Sequence, residues 1–258
     1  ELQKLRKLNV TTDKTQMRLC HSVLILALML QACSQANFQS QLNMSSQLFP
    51  DSGQTGAGDS PTVPAETFEP LAWESKVKGS SSWSTTVYEV IQNEEPQMLG
   101  QNVADDVELF CPRYKSLSDK QRLNFWGQLL AGMSKFESSW NPASYYVETT
   151  MGLDPITGRQ VASEGLLQLS YQDEKSYNID CGFDWSLDQI FTNTDPRKTI
   201  FNPHNNLRCG IKILARQLNR QRAISTTTGV YWAVLKKNGT YTKVPEISTI
   251  TKQLSFCK

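Results

Sequence analysis

The sequence predicts a mainly helical domain of α+β class, with one small β-hairpin beside a cleft. Three observations carry that expectation. Stretches between residues 84 and 235 place apolar side chains three and four residues apart, the spacing of one helix face. One stretch, Tyr145 to Gly165, breaks that spacing with two short polar-apolar runs around Asp154-Pro155 and Thr157-Gly158, which reads as a hairpin or irregular excursion. A composition of 39% hydrophobic and 20% charged residues over 258 positions fits one sizeable domain plus appendages.

The appendages come first. The one long apolar run, Val23 to Leu30, has eight residues, far short of the roughly 20 that cross a bilayer as a helix. It reads as the core of a signal peptide. The run follows Met17-Arg18 and ends in Leu30-Gln31-Ala32-Cys33, which resembles the bacterial lipoprotein processing box, although Gln31 departs from the small or aliphatic residue usual there. The resemblance implies that Met17 is the start, that residues 1–33 are upstream sequence plus leader, and that Cys33 becomes the acylated first residue. Several acyl chains make a durable membrane anchor where one does not. Ser34 beside it implies the outer membrane, facing the periplasm; an ordinary cleaved signal peptide and a secreted protein are the alternative. Residues 34–82 are expected to be a flexible tether, rich in Ser, Gln, Gly, Asn and Pro as far as about Glu66 and unable to offset ordering entropy by burial. A tether of about 50 residues reaches on the order of 40 Å.

Residues 83–258 are expected to fold. Without the leader the chain keeps 21 basic and 23 acidic side chains, which excludes the clustered positive excess of a nucleic-acid binder. Setting aside Cys20 and Cys33, four cysteines remain; in an exported chain an even number points to two disulfides, in one of three pairings. The expected pairs are Cys181 with Cys209, closing the loop rich in Asn, Thr and Pro, and Cys111 with Cys257, joining the domain's ends.

Within the domain, helices are expected over Ser84 to Leu99 and Leu117 to Glu137, the second opening on a capping box of Ser118 and Gln121. After the excursion, helices are expected to resume at about Leu166, at Leu187 to Phe191, at Asn205 to Arg222 and at Gly229 to Leu235. On the second helix Trp126, Leu130, Met133 and Glu137 step by four, three and four, so a carboxylate sits at the end of the apolar stripe, just before Asn141-Pro142 can stop the helix. Burial and the negative end of the helix both raise a carboxyl pKa, so such a group can hold a proton near neutral pH and donate it to a leaving oxygen. A structural glutamate held by a hydrogen bond is the plainer alternative.

Three blocks shift the balance: Glu137 to Ser144 (ESSWNPAS), Ser163 to Ser170 (SEGLLQLS) and Asn202 to Leu214 (NPHNNLRCGIKIL). Their order and approximate spacing resemble the soluble lytic transglycosylase domain of the goose-type lysozyme superfamily, over roughly residues 117 to 235. The resemblance implies a lysozyme-like fold that cleaves the β-1,4 bond between N-acetylmuramic acid and N-acetylglucosamine in peptidoglycan glycan strands. It implies Glu137 as catalytic acid, Gln168 facing the cleft and Tyr231 lying close to that acid. Gly165 allows close backbone approach, by a sugar or by Glu137. Ser163, Gly165, Gln168, Tyr145, Tyr146 and Tyr231 are thus the candidate substrate-binding residues, with Trp232 expected in the core.

Val230 to Gly239 (VYWAVLKKNG) keeps Tyr231 but lacks the family's Asn-Ala-Gly. A lysozyme reaction, with water as acceptor, is therefore set against a transglycosylase reaction, in which the sugar's own 6-hydroxyl closes an anhydro ring. Hydrolysis needs a second carboxylate, about 6.5 to 9.5 Å away if inverting and about 5 to 5.5 Å if retaining. Glu148, Asp154 and Glu164 are candidates, Glu164 first because it precedes the cleft-lining block. The same acids would instead pair with an ammonium if the substrate's glucosamine is de-N-acetylated. A wall-binding lipoprotein without catalysis is the alternative from another class. One histidine, His204, remains after the leader, no Cys or His pair suits zinc and no Gly-rich phosphate loop precedes a helix; no metal or cofactor is expected, and a monomer is.

Overall fold

The computed structural model describes residues 67–258. The leader, the Cys33 lipidation position and the tether as far as residue 66 lie outside them. Within the described residues the order is α1 (Ser81–Asn93), α2 (Val107–Phe110), α3 (Asp119–Ser138), β1 (Tyr145–Val147), β2 (Ala162–Glu164), α4 (Gln172–Tyr177), α5 (Trp185–Asp188), α6 (Pro203–Gln221) and α7 (Val244–Thr251). This is the expected α-rich fold with one small antiparallel pair of strands.

α3 is the central helix. Its first turn is closed as the sequence marks it, with Ser118 Oγ accepting from the Gln121 N–H at 3.2 Å and Gln121 Oε1 accepting from the Ser118 N–H at 3.0 Å. It is buried without a break from Arg122 to Ser134, so the one-sided stripe of the sequence becomes a helix covered on nearly all sides. Its inward polar side chains are used as clamps. Asn124 Oδ1 accepts from the Glu69 N–H at 2.7 Å and its Nδ2 donates to Glu69 O at 3.0 Å. Gln128 Oε1 accepts from the Ala72 N–H at 2.9 Å while its Nε2 donates to Ile250 O at 3.2 Å. Buried polar groups with both ends satisfied cost little and fix register.

Those clamps correct the expected tether. It was expected to run to residue 82, but Leu71 and Trp73 are 1% and 0% exposed and belong to the core, and Trp73 Nε1 donates to Ser84 Oγ at 2.9 Å. Composition averaged over the segment hid two large apolar residues.

Other boundaries shift for local reasons. The first helix ends at Asn93 and resumes as a 3-10 turn, Pro96–Leu99, because a proline cannot continue the α hydrogen-bond ladder. No helix forms at Leu166; residues 164–169 make a tight turn with Glu164 N donating to Leu169 O at 2.7 Å and Leu169 N to Glu164 O at 2.9 Å. Leu166 and Leu169 are nonetheless wholly buried. The expected helix at 187–191 is the four-residue α5, and that at 229–235 is a 3-10 turn, Ala233–Leu235. α6 starts where Asn202 Oδ1 accepts from the His204 N–H at 2.9 Å, with Pro203 in the first turn. α7 was not anticipated. Its Ile247 and Ile250 press against Gly132 of α3, where a Cβ would meet Ile247 Cγ2 at 3.3 Å.

Both disulfides form as expected, Cys111 with Cys257 and Cys181 with Cys209. No helix among the described residues is long and apolar enough to cross a membrane.

Candidate active site

The site is assembled where α3 ends against the hairpin and the 164–169 turn. α3 stops two residues earlier than an Asn141-Pro142 stop requires, because Ser139 and Trp140 both take left-handed backbone, with φ of 54° and 62°. Ser138 then donates its hydroxyl to Leu166 O at 2.9 Å, which fixes the last turn of α3, and with it Glu137, against the turn.

Glu137 is partly exposed as a residue, but its Oε1 is buried and has no hydrogen-bond partner. Burial first, and then the charge of Glu148, push its carboxyl up to about 7. That buried oxygen accepts no hydrogen bond that would stabilise the anion, so burial is left to favour the protonated form.

The hairpin decides which acid stands beside it. Tyr145, Tyr146 and Val147 pair with Glu164, Ser163 and Ala162. Successive side chains on a strand point to opposite faces. Ala162 and Glu164 turn to the core and are 8% and 4% exposed, while Ser163 turns outward. Glu164 is therefore corrected as the second carboxylate: it lies in a buried pair with Lys198, whose ammonium also sits over the rings of Phe201 at 4.6 Å and of Tyr145 and Tyr171, both at 5.6 Å. Burial raises the Glu164 carboxyl and the adjacent Lys198 ammonium offsets part of that rise. Asp154 is also consumed by structure, its Oδ1 accepting from the Ile156 N–H at 2.7 Å and its Oδ2 from the Gln172 N–H at 3.0 Å. Glu148, one residue beyond β1, is the acid whose charge acts on Glu137. It accepts a hydrogen bond from Ser163 Oγ and forms no ion pair among the described residues.

The remaining candidates divide. Gln168, at a left-handed φ of 50°, folds back so that its Nε2 donates to Gly165 O at 2.9 Å. Gly165 has φ of 80°, and what comes close to it is Asn206, whose Nδ2 would lie 2.3 Å from an added Cβ, with Ile200 O at 3.1 Å; Glu137 is not among its near neighbours. Asn206 is the site residue that sequence reasoning missed. Wholly buried on α6, it accepts from the Leu167 N–H at 2.8 Å and donates to Glu164 O at 3.1 Å and Ile200 O at 3.0 Å, so two of its bonds fix the turn and the third ties it to the segment before α6. Its place in the third block, two residues past His204, was the available signal. Tyr231 is close enough to Glu137 to feel its charge, but its hydroxyl donates to Asp173 Oδ2 at 2.6 Å. Tyr146 is 60% exposed beside Ser163 and Glu148, whereas Tyr145 packs on the core. Trp232 is core, 2% exposed, with Nε1 donating to Leu167 O at 2.8 Å. A cavity of about 330 Å³ lies on the other side of Tyr231, against Arg216 and Arg220 of α6; neither Glu137 nor Glu148 lines it. Among the described residues no group of three or more His, Cys, Asp or Glu side chains is placed to hold a metal ion.

No family profile and no curated protein matches the chain. Solved structures do. The wild-type form of Bd0314 DslA, a Bdellovibrio protein, is 33% identical over 75% of this chain and 100% of its own, with a TM-score of 0.61. The chain belongs to the DslA family. Two further DslA structures, 32% identical with TM-scores of 0.60 and 0.58, are variants carrying glutamine for glutamate at positions 154 and 143 of that protein's own numbering. The two glutamates replaced in DslA stand eleven positions apart, the interval between Glu137 and Glu148 here.

Proposed function

We propose that the protein is a peptidoglycan glycosidase of lysozyme type, cleaving the β-1,4 bond between N-acetylmuramic acid and N-acetylglucosamine, with Glu137 as general acid and Glu148 as the second carboxylate. The observation that carries this reading is a buried, unpartnered carboxyl oxygen on Glu137, with its proton held to about pH 7, beside an acid that forms no ion pair among the described residues. A carboxylic acid and a carboxylate kept apart in protonation are what glycoside hydrolysis uses. Two glutamates at the same interval were the ones replaced in DslA, which supports treating this pair as a unit.

In this reading Glu137 gives its proton to the glycosidic oxygen as the bond from that oxygen to the muramic C1 breaks. The sugar left behind carries positive charge at C1 and its ring oxygen, which the Glu148 carboxylate offsets. Water then adds at C1 and gives up a proton to one of the two carboxylates, leaving a reducing end. The transglycosylase alternative differs in one step, in which the sugar's 6-hydroxyl replaces water. That Glu148 has no ion-pair partner among the described residues also favours a second reading of the substrate, in which an ammonium on de-N-acetylated glucosamine meets that carboxylate. The wall-binding alternative without catalysis gives no reason for a proton stored on Glu137. Export, the acyl anchor on Cys33 at the outer membrane and a monomeric state belong to the same proposal.

The test is mass spectrometry of products from acetylated and de-N-acetylated sacculi. Reducing ends support hydrolysis, and products lighter by one water support the anhydro route. Glu137→Gln is expected to lower the rate about 10²- to 10⁴-fold. Release at the wild-type rate by that variant would overturn the assignment, and sedimentation with sacculi without any soluble product would favour the binding protein.

A further inference from the structure

Ser163 turns to the outward face of the hairpin, and its hydroxyl proton is already committed. It donates to Oε1 of Glu148, fifteen positions back in the chain and across the hairpin. The same residue of the hairpin is held twice more through its backbone: Glu148 N donates to Val161 O at 2.8 Å and Gln160 Nε2 donates to Glu148 O at 2.7 Å. Two bonds to its backbone and one to its carboxylate, all from residues 160–163, thus hold a residue that stands just beyond β1, where regular pairing has stopped at Val147. Strand alternation explains why this works, since Tyr146, Glu148 and Ser163 share the outward face while Tyr145, Val147 and Glu164 share the inward one.

We propose that Ser163 is a positioning residue, whose hydroxyl holds the Glu148 carboxylate on the groove face and turned toward Glu137. The inference deepens the glycosidase reading and rests on it for its catalytic meaning, while its geometric claim stands on the hydrogen bond alone. A glutamate at a strand end has three side-chain torsions and gains entropy by leaving for water. Without a partner it would spend most of its time away from Glu137. Ser163 removes that freedom, and the consequence is electrostatic: the fixed charge keeps the proton on the general acid.

The groups that face Glu137 are few. Glu148 comes from the hairpin and Tyr231 from the segment after α6. Lys135, on α3, points its ammonium over the rings of Phe136 and Trp140, and Lys243 also lies over Phe136. Of these, Glu148 is the one whose charge raises the Glu137 carboxyl, second to burial.

The experiment is a direct titration of the Glu137 side-chain carboxyl by carbon NMR in the full protein, for wild type, Ser163→Ala, Ser163→Thr, Glu148→Gln and the Ser163→Ala/Glu148→Gln double variant. Ser163→Ala is expected to lower the Glu137 midpoint by about half a unit and Glu148→Gln by at least as much. Ser163→Thr, which keeps the hydroxyl and suits a strand, is expected to retain the wild-type midpoint. The double variant is expected to match Glu148→Gln alone, because Ser163 acts only through that carboxylate. An unchanged midpoint in Ser163→Ala overturns the proposal, as does a double variant in which the two shifts add. The midpoint is read without turnover, so absence of glycosidase product in wild type would count against the functional reading and leave this measurement intact. Where turnover is measured, Ser163→Ala is expected to reduce kcat several-fold with little change in KM and to move the alkaline limb of the rate to lower pH.

Discussion

Glu137 shows how one side chain can be unfavourable for the fold and useful for chemistry. Its folded pKa of about 7 stands above the ordinary value of 4.5, so between those two pH values the folded state binds the extra proton. Stability contributed by that proton is fully present below about pH 4.5 and is lost as pH rises through about 7. Above pH 7 the folded protein must hold a carboxylate whose Oε1 is buried without a partner. Glu137→Gln cannot ionise, so it is expected to raise the thermal midpoint at pH 8 and to have much less effect at pH 5. The difference between the two pH values is expected to be on the order of 1 to 3 kcal/mol. Thermal unfolding of both proteins at both pH values checks it, and equal effects at the two pH values would mean that the carboxyl is not held protonated.

At the scale of elements, the hairpin decides the site by a single step of register. Glu164 and Ser163 are neighbours in sequence and opposites in space, so the acid goes to the core and the serine before it goes to the outward face. Glu164 with Lys198 is then a buried ion pair joining β2 to the loop before α6. Removing one partner leaves an uncompensated charge in an apolar setting. Lys198→Met is therefore expected to cost about 3 to 5 kcal/mol, and Glu164→Leu a similar amount, while the two combined recover most of the loss. Chemical denaturation of the three variants tests this. A double variant as unstable as the sum of the singles would show that the pair is not the source of the cost.

The same element explains what could be read from the sequence. α3 and its acid were legible because a capping box, a four-three-four stripe and a polar residue on that stripe all lie within one helix, where spacing alone sets direction. The hairpin was legible as an excursion, but its face assignment needed the pairing partner of each residue, which local sequence does not contain; hence Glu164 was preferred to Glu148. α7 was missed because Val244, Ile247, Thr249, Ile250 and Thr251 are β-branched and weak helix formers, and its helicity comes from packing on Gly132 of α3. Asn206 was missed because its role, bonding the turn that ends β2 to α6, spans 42 positions to Glu164. Tertiary partners, not propensity, account for each of these.

Across the whole folded unit, the two disulfides divide the labour of holding it together. Cys111–Cys257 closes 146 positions and ties the end of α2 to the chain's last turn, while Cys181–Cys209 closes 28 and ties the loop before α5 to α6. Loop-closure entropy gives about 5 kcal/mol for the longer loop and about 4 kcal/mol for the shorter, in the chain-entropy account. Their functional reach differs more than their energies. α6 carries Asn206, which bonds the 164–169 turn, and that turn receives Ser138 from the last turn of α3; the shorter bridge therefore bears on the geometry around Glu137. Cys111–Cys257 meets no residue of that chain of contacts. Replacing each pair by alanines is expected to lower the thermal midpoint in both cases, more for Cys111–Cys257. If the protein is the glycosidase proposed above, the Cys181–Cys209 replacement alone is expected to lower the rate of wall digestion at temperatures where the protein remains folded. Parallel measurement of thermal unfolding and muropeptide release on the two variants decides it. Equal loss of rate per degree of lost stability would mean that both bridges serve stability alone, and that the turn is held by Asn206 and Ser138 without help from the covalent frame.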